Sequence, residues 1–510
     1  MIPSFPASSL PPPSPAAMTL LPELQCRTSA SDQDRLAYSR DNWTLGLLRI
    51  RQGKIPPPPD LVAWPKNEEE LVQLIRAARA RKVPVIPFGG GSGVVGGTWA
   101  LNGGIAVDCK RLEAISAIDR VRREVTVQAG VFGEVLERKL NAEGFTLGHM
   151  PIFIRSSTVG GWLASRSAGF FATRYGKIED LVVSLSGVTG TGERFTTPRR
   201  PHEGPDLAAL FMGSEGTLCT FTEATLRVQP YPEQRLFRAF RFKSVEQGVI
   251  ALRELLRAGL RPAAARLYDP FDTAVVRRSK ENGPARAPSL RNPVDADLLP
   301  ALMRKLSPLT VGRPSLLNRA AHLFRESLLL LVFEGERHRT DGELKEARTI
   351  CERLRGEDEG EGASLHWFEH RFDPLFTVAK LVDSGAFTDT MEVSCSWDKA
   401  LDVYERVRAA VSPLAFVTCH LPHAYLDGCS LQFTLVASSG SDDEARYAEL
   451  WRHALTAALS AGASLSHHHG IGALKSAALK DTLGDGRRAL VALKRAFDPD
   501  GIMNPGKLSL

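Results

Sequence analysis

Apolar residues recur at two spacings along this chain, and each change of spacing marks a change of element. In NEEELVQLIRAARARK, from Asn67 to Lys82, they fall three or four apart, which predicts an amphipathic helix. Asn67 stands where an N-cap belongs, with acids in the first turn behind it. VPVIPFGGG follows as a short buried strand that runs into a glycine-rich turn. GGIAVDCKRL and REVTVQAG alternate as strands do, and VFGEVLERKLNAEG returns to the helical period and is closed by Gly144. Beyond Leu236 the texture changes. FRAFRFKS, SLLLLVFEGE and SLQFTLVAS predict strands and VEQGVIALRELLRAG predicts a helix, so a second α+β domain with a sheet of its own is expected.

These breaks divide the chain. Residues 1–23 are Pro- and Ser-rich and are expected to be a disordered leader, with Met18 as an alternative start. Residues 24–60 form an N-terminal helical segment that ends in the stiff spacer KIPPPPD. Residues 61–232 carry the β/α pattern, 233–440 the second domain, and 441–510 a mainly helical C-terminal segment interrupted by SLSHHHGIG. SKENGPARAPSLRNPVD is polar and Pro-rich and reads as a mobile loop. The leucine-rich, basic stretch that follows it has two readings, helices packed on the second domain or a peripheral contact with a membrane surface.

Composition narrows the function classes. A chain of 510 residues with 43% hydrophobic and 24% charged residues is an ordinary globular protein of more than one core. A net charge of +6 over this length gives no reason to expect a nucleic-acid partner. The seven cysteines are odd in number and include no Cys-x-x-Cys pair, which points to a reducing, cytoplasmic setting and away from a disulfide framework. No stretch approaches the ~20 apolar residues of a membrane span.

Two segments carry candidate chemistry. PFGGGSGVVGG supplies successive backbone N–H groups that can cradle phosphate oxygens, although no Gly-Lys-Ser/Thr follows and no helix opens directly behind it. Further glycine-bearing turns follow in RSSTVGGWLASRSAG and MGSEGTLCTFTEATLRV, enough backbone donors for one large dinucleotide. SLSHHHGIG places His467, His468 and His469 side by side. Adjacent residues in a turn point in different directions, and no acid or cysteine stands close in sequence. They would therefore chelate one ion poorly, and no metal site is expected of them.

STVGGW, YGKIEDLVV, GPDLAALFMGSEGTL, TEATLRV, ARLYD, CHLPHAY, SLSHHHGIG and FDPDGIMNPGKL occur in an order that resembles the vanillyl-alcohol-oxidase (PCMH-type) FAD-binding superfamily. Within it the chain most resembles the alkylglycerone-phosphate synthases, from about residue 35 to the C-terminus. The resemblance implies an α+β architecture. It consists of a two-part FAD-binding domain over 61–232, a cap domain over 233–440 with an antiparallel sheet, and a C-terminal segment closing over the flavin. It implies FAD contacts from Pro87, Gly89, Gly90, Gly91, Ser92 and Gly93, from Ser157, Thr158, Gly160 and Gly161, and from Glu179, Asp180, Val183, Glu215 and Gly216. Non-covalent FAD is expected, because no histidine lies in the FAD-binding loops, and His149 is the nearest candidate for a covalent link.

The resemblance further implies exchange of an acyl for an alkoxy group through a flavin N5 adduct. Tyr425 would serve as base and His467, His468 and His469 would assist. A free phenol titrates near ~10, so imidazole neighbours would make Tyr425 a better base. Arg266 matches a substrate-phosphate position. A second family arginine, in a segment resembling RFDTPYLRD, falls at Val378 of RFDPLFTVAK, and valine cannot offer a fork of donors. An FAD oxidase or dehydrogenase acting on a non-phosphorylated alcohol or 2-hydroxy acid is the alternative. The expected partners are a small-molecule or lipid-like substrate and a second copy of the chain in a homodimer.

Overall fold

The computed structural model describes residues 10–201, 203–274, 314–321, 324–373 and 386–510. The chain divides into two compact units, the first comprising Met1–Gly169, Tyr175–Tyr231 and His468–Leu510, the second Phe170–Arg174 and Pro232–His467. The division falls between His467 and His468, inside the C-terminal segment.

The first unit holds two four-stranded sheets. One is built from β1 (Arg27–Ser29), β2 (Leu61–Trp64), β3 (Val85–Phe88) and β4 (Ile105–Asp108), in the order β1-β2-β4-β3. Strands β2, β4 and β3 run parallel, and the crossover from β2 to β3 is the helix Glu68–Ala80. Asn67 caps that helix as expected, its side chain accepting from Glu70 N at 2.9 Å. The helix buries Leu71, Leu74, Ile75 and Ala78 in one cluster with Val85, Ile105 and Val107. The other sheet contains β5 (Glu124–Gln128), β7 (Val182–Thr189), β8 (Arg194–Thr196) and β9 (Cys219–Arg227), all antiparallel, in the order β5-β9-β7-β8. A short pair, β6 (Phe145–Thr146) and β10 (Gln229–Pro230), completes the strands of this unit.

The second unit is organised on one seven-stranded sheet. Its members are β11 (Gln234–Phe242), β12 (Ala264–Tyr268), β13 (Ser327–Gly335), β14 (Glu357–Gly360), β15 (Ala386–Ser396), β16 (Phe416–Leu421) and β17 (Gly428–Ser438). All pairings are antiparallel, in the order β14-β11-β13-β12-β16-β17-β15. The apolar run in β13 is buried along its length, as its lack of alternation requires. The α+β architecture with an antiparallel sheet in the second unit agrees with the sequence reading.

Three expectations about segments need correction or restriction. Residues 10–23 are not a disordered leader. Pro15–Met18 is a short helix capped by Ser14, and Ser14 donates from N and Oγ to the Asp60 carboxylate at 2.9 Å each. Ala17 and Leu20 are fully buried against the helix Glu68–Ala80 and its strands. Composition hid this, because so few apolar residues are enough to dock a short segment on an existing core. Residues 24–60 are not wholly helical, since β1 pairs with β2 ahead of the helices Asp32–Ala37 and Thr44–Arg51. The stretch expected to be a mobile loop and most of the basic, leucine-rich stretch lie outside the described residues, as does Val378. In the helix Pro314–Ala321, Asn318 is buried and donates to Ser412 O and Ala415 O, so that part packs on its own unit. No described helix is long and apolar enough to cross a membrane.

The closing motif FDPDGIMNPGKL ties the end of the chain to the first unit. Asp498 accepts from Ile502 N and Met503 N at 3.1 and 2.8 Å, and Lys494 Nζ approaches it at 2.6 Å. The same ammonium donates to Thr217 O and Met503 O at 2.8 Å. Both side chains are buried, so removing one partner strands the other's charge. Asp498→Ala is expected to lower the stability of the protein by about 3 kcal/mol, read from urea unfolding. A loss under about 0.5 kcal/mol would place this pair among inconsequential surface contacts.

Candidate active site

The glycine loop after β3 packs against the turn that begins the helix Val159–Ser165. A Cβ on Gly90 would lie 1.7 Å from Ser156 O, so only glycine lets the two backbones meet. Gly161 borders the cleft instead. Its missing side chain would meet only Thr158 Oγ1 at 3.5 Å, which leaves room for a ligand. The resulting cleft encloses about 1310 Å3, part of it open to solvent. Pro87, Gly89, Gly90, Gly91, Ser92, Gly93, Ser157, Thr158, Gly160, Gly161, Glu215 and Gly216 all line it, and so do His468 and His469. A dinucleotide fits such a site, which joins backbone donors to apolar walls from Val94, Phe153 and Ala168.

Glu179, Asp180 and Val183 do not line this cleft. Asp180 accepts from Lys177 N at 2.8 Å and Glu179 pairs with Lys177 Nζ at 2.9 Å, so both shape the turn before β7. Val183 is buried within β7. His149 does not line it either. Its ring lies 4.7 Å from Trp162, edge to face, and neither ring nitrogen has a hydrogen-bond partner among the described residues. Burial, and secondarily His468 and Lys177, push its pKa down to about 3.

Glu215 has a larger role than its motif suggests. Its backbone is left-handed, with φ +49°, and its carboxylate accepts from Ile471 N at 2.6 Å and Gly472 N at 2.7 Å. The turn after His469 is thereby fixed to the turn after Ser214. Burial raises the Glu215 pKa against the pull of those two donors and of Lys507 and Lys475. Three residues that sequence reasoning missed complete the frame. Asp41 accepts from Trp43 N, Gly96 N and Trp99 Nε1 at 3.0–3.1 Å, and burial raises it to about 7. Asn504 Nδ2 donates to Gly97 O at 2.9 Å and Glu215 O at 2.7 Å. Lys507 Nζ donates to Trp99 O at 2.9 Å, and burial lowers it to about 8. The closing motif was visible in the sequence, but the carbonyls it serves lie 289 to 408 residues away.

The second unit carries its own cluster of polar side chains. Tyr425 sits in the connection between β16 and β17, held by its N–H donating to Gly428 O at 2.8 Å. Trp397 Nε1 donates to Tyr425 O at 3.1 Å and Leu426 O at 3.2 Å. The Tyr425 ring lies 5.5 Å from that of His467, and His423 stacks on the other imidazole at 5.3 Å. Glu392, fully buried in β15, accepts from Ser466 Oγ and His467 N at 2.6 Å. His423 and Glu392 were missed. His423 shared the CHLPHAY motif, two residues before Tyr425, while Glu392 gave no signal beyond an acid in a strand.

Arg266, on β12, is buried among rings. Its guanidinium lies 5.1 Å from the Trp367 ring, 5.7 Å from Tyr268 and 5.8 Å from Phe170. Its Nε donates to Tyr268 Oη at 3.3 Å. Among the described residues no carboxylate lies within 4 Å of it, whereas nearby Asp269 is paired with Arg408 at 2.9 Å. His420 stacks on Tyr268 at 5.5 Å and is held well below its usual pKa by burial and by the Arg266 charge. Asp272 is pushed well up by burial and by Asp269, so this pocket opposes negative charge on its own carboxyl while keeping a positive guanidinium.

Two measurements test this frame. Glu215→Ala is expected to weaken FAD retention on the order of tenfold, from the loss of two charge-assisted hydrogen bonds, read as flavin absorbance kept through desalting. Undiminished retention would remove Glu215 from the frame. His149 titrates lower in the folded chain than the ordinary 6.5, so below that value the unfolded chain binds a proton that the folded one refuses. Stability must therefore fall as pH falls from about 6.5 toward 3, by up to about 1.4 kcal/mol per pH unit. His149→Phe should flatten that decline between pH 6.5 and 4.5 in urea titrations, and an identical slope would contradict it.

The comparisons with known proteins agree with this geometry. A model described as an FAD binding domain matches residues 59–198, and one described as FAD linked oxidases, C-terminal domain, matches residues 231–508. An alkyldihydroxyacetonephosphate synthase of Trypanosoma brucei brucei is 29% identical over 499 residues, covering 94% of this chain and 79% of that one. An uncharacterized FAD-linked oxidoreductase, YgcU, of Escherichia coli strain K12 is 28% identical, covering 89% of each chain. A solved alkyldihydroxyacetonephosphate synthase superposes with a TM-score of 0.78 at 25% identity, over 99% of this chain and 89% of that chain. The chain therefore belongs to the FAD-linked oxidases, carrying an FAD-binding domain ahead of that family's C-terminal domain.

Proposed function

We propose that this flavoenzyme catalyses an alkyldihydroxyacetonephosphate-synthase-like exchange, replacing an acyl group by an alkoxy group on a phosphorylated ketone substrate. The observation that carries the reading is Arg266, a buried guanidinium walled by aromatic rings with no carboxylate within 4 Å among the described residues. A buried cation left in that state is costly unless an anion joins it in the working complex, and a phosphate presents acceptors that suit its fork.

Bound FAD supplies an electron-accepting ring system to the substrate carbon. FAD is held without a covalent link, in keeping with His149 lying off the cleft lining. Tyr425 takes the proton from the substrate carbon. His467, with its ring 5.5 Å from the phenol and its N–H anchored on Glu392, is positioned to pass that proton on. His423, stacked on His467, limits the rotation of that imidazole. His468 and His469, on the cleft lining, serve proton steps at the cofactor.

A second reading rests on Val378, which stands where the resemblance expects another phosphate-binding arginine. It retains the cofactor and the acid/base groups and replaces the exchange by net oxidation of an alcohol or 2-hydroxy acid. The two readings part in one experiment. Mixed anaerobically with an acyl-dihydroxyacetone phosphate and a fatty alcohol, the exchange enzyme releases free fatty acid and shows no lasting flavin bleaching. An oxidase bleaches with its alcohol substrate, recovers colour with oxygen and releases no acid from the ester. Tyr425→Phe is expected to lower turnover by on the order of 100-fold or more with the flavin spectrum unchanged. Arg266→Leu is expected to raise KM on the order of tenfold or more. Full activity in the Phe variant would remove Tyr425 from the chemistry.

A further inference from the structure

Cys395 and Cys429 face each other in register across β15 and β17, the last and first residues but one of those two long strands. Directly opposed residues of an antiparallel pair have Cα atoms about 4.5–5.5 Å apart, inside the range a disulfide spans. Both are free thiols. Cys395 is partly exposed and Cys429 is buried. The other five cysteines are buried.

The Cys429 thiol opposite it lowers the pKa of Cys395, against the opposing effects of burial and Asp398, and Cys429 in turn is held well above the usual thiol range by Cys395 and by burial. A partly exposed thiol with thiolate character beside a buried thiol is the arrangement of an attacking and a resolving cysteine.

The pair also sits amid the groups assigned above to proton transfer. Ser394, next to Cys395, donates from its N–H to Ser464 Oγ at 3.0 Å and accepts at its carbonyl from Ser464 N at 2.7 Å, so it holds the start of SLSHHHGIG. Gly428, next to Cys429, accepts from Tyr425 N, and Ala424 bridges to Cys429 itself.

We propose that Cys395 and Cys429 form a reversible dithiol–disulfide couple, oxidised by a small disulfide such as oxidised glutathione, at the root of the loop that carries Tyr425. The Cys395 thiolate attacks one sulfur of the oxidant and expels one glutathione thiolate. Cys429 gives its proton to solvent and attacks the Cys395 sulfur, expelling the second. Two protein thiols are oxidised and one small disulfide is reduced to two thiols. A disulfide brings its Cβ atoms to about 3.8 Å, closer than the about 4.5–5.5 Å of an opposed strand pair, so the two strands must draw together. That movement displaces the Tyr425 loop and slows turnover. The consequence for turnover rests on the exchange reading above, whereas the couple itself does not.

The test uses the full chain with FAD bound, equilibrated with oxidised glutathione, then denatured and alkylated. The seven thiols should fall to five alkylated ones, with one peptide cross-link joining Cys395 to Cys429 and reversal by a reductant. Cys429→Ser should form no cross-link, and Cys395→Ala should resist the oxidant altogether. Seven alkylated thiols, a different pairing, or a lasting glutathione adduct on Cys395 in the unsubstituted chain overturns the couple. Turnover of the oxidised chain should drop at least fivefold and recover on reduction, while Cys429→Ser keeps its turnover through the same cycle. A cross-link without change in turnover overturns the regulatory consequence. Absence of exchange activity in the reduced chain overturns the functional reading and leaves the cross-link measurement intact.

Discussion

One half-buried carboxylate holds the first unit's site together. Glu215 uses both oxygens on the N–H groups of Ile471 and Gly472, and its own carbonyl accepts from Asn504. Asn504 in turn grips Gly97 O. Four segments far apart in sequence thus meet at one side chain and its peptide: the glycine loop, the Ser-Glu-Gly turn, the turn after the histidines and the closing motif. Burying a carboxylate is tolerable only when its lone pairs are met, and here backbone donors meet them. The left-handed backbone at Glu215 is the local cost of aiming the carboxylate that way.

The second unit solves a different problem. A seven-stranded antiparallel sheet supplies a stiff, mostly apolar platform, and chemistry is confined to places where strands end or side chains face one polar patch. Glu392 lies inside a strand yet serves the backbone of His467. Arg266, His420 and Asp272 share a largely buried neighbourhood in which low dielectric lowers the His420 pKa and raises that of Asp272, each in the direction that opposes charge. Against that background the guanidinium remains the standing charge, and this is why an anionic substrate is the economical reading of the pocket.

Much of this was legible beforehand. The period of apolar residues located the helix after Asn67, the strand that follows it, β4 and β5, and the strands β11, β13 and β17 of the second unit. Those elements form where local pattern and burial agree, and a residue's immediate neighbours carry that information. The glycine-bearing turns were legible for the same reason, since a turn that needs glycine announces itself within a few residues. Segments 10–23 and 24–60 were misread because composition alone reports neither docking on a distant core nor pairing with a strand that comes later.

By itself the sequence determined which residues could hold a dinucleotide and which could move protons, because residue type sets what a side chain can donate, accept or titrate. Only the tertiary structure decided which of them share a site. Twelve of the fifteen expected cofactor residues line one cleft, while Glu179, Asp180 and Val183 build the turn and strand beside it. Asp41, Asn504, Glu392 and His423 took their places through partners tens to hundreds of residues away. A hydrogen bond or a ring contact has no signature in local periodicity. It exists only once the packing of strands and helices has brought its two ends within about 3 Å for the one or 5 Å for the other.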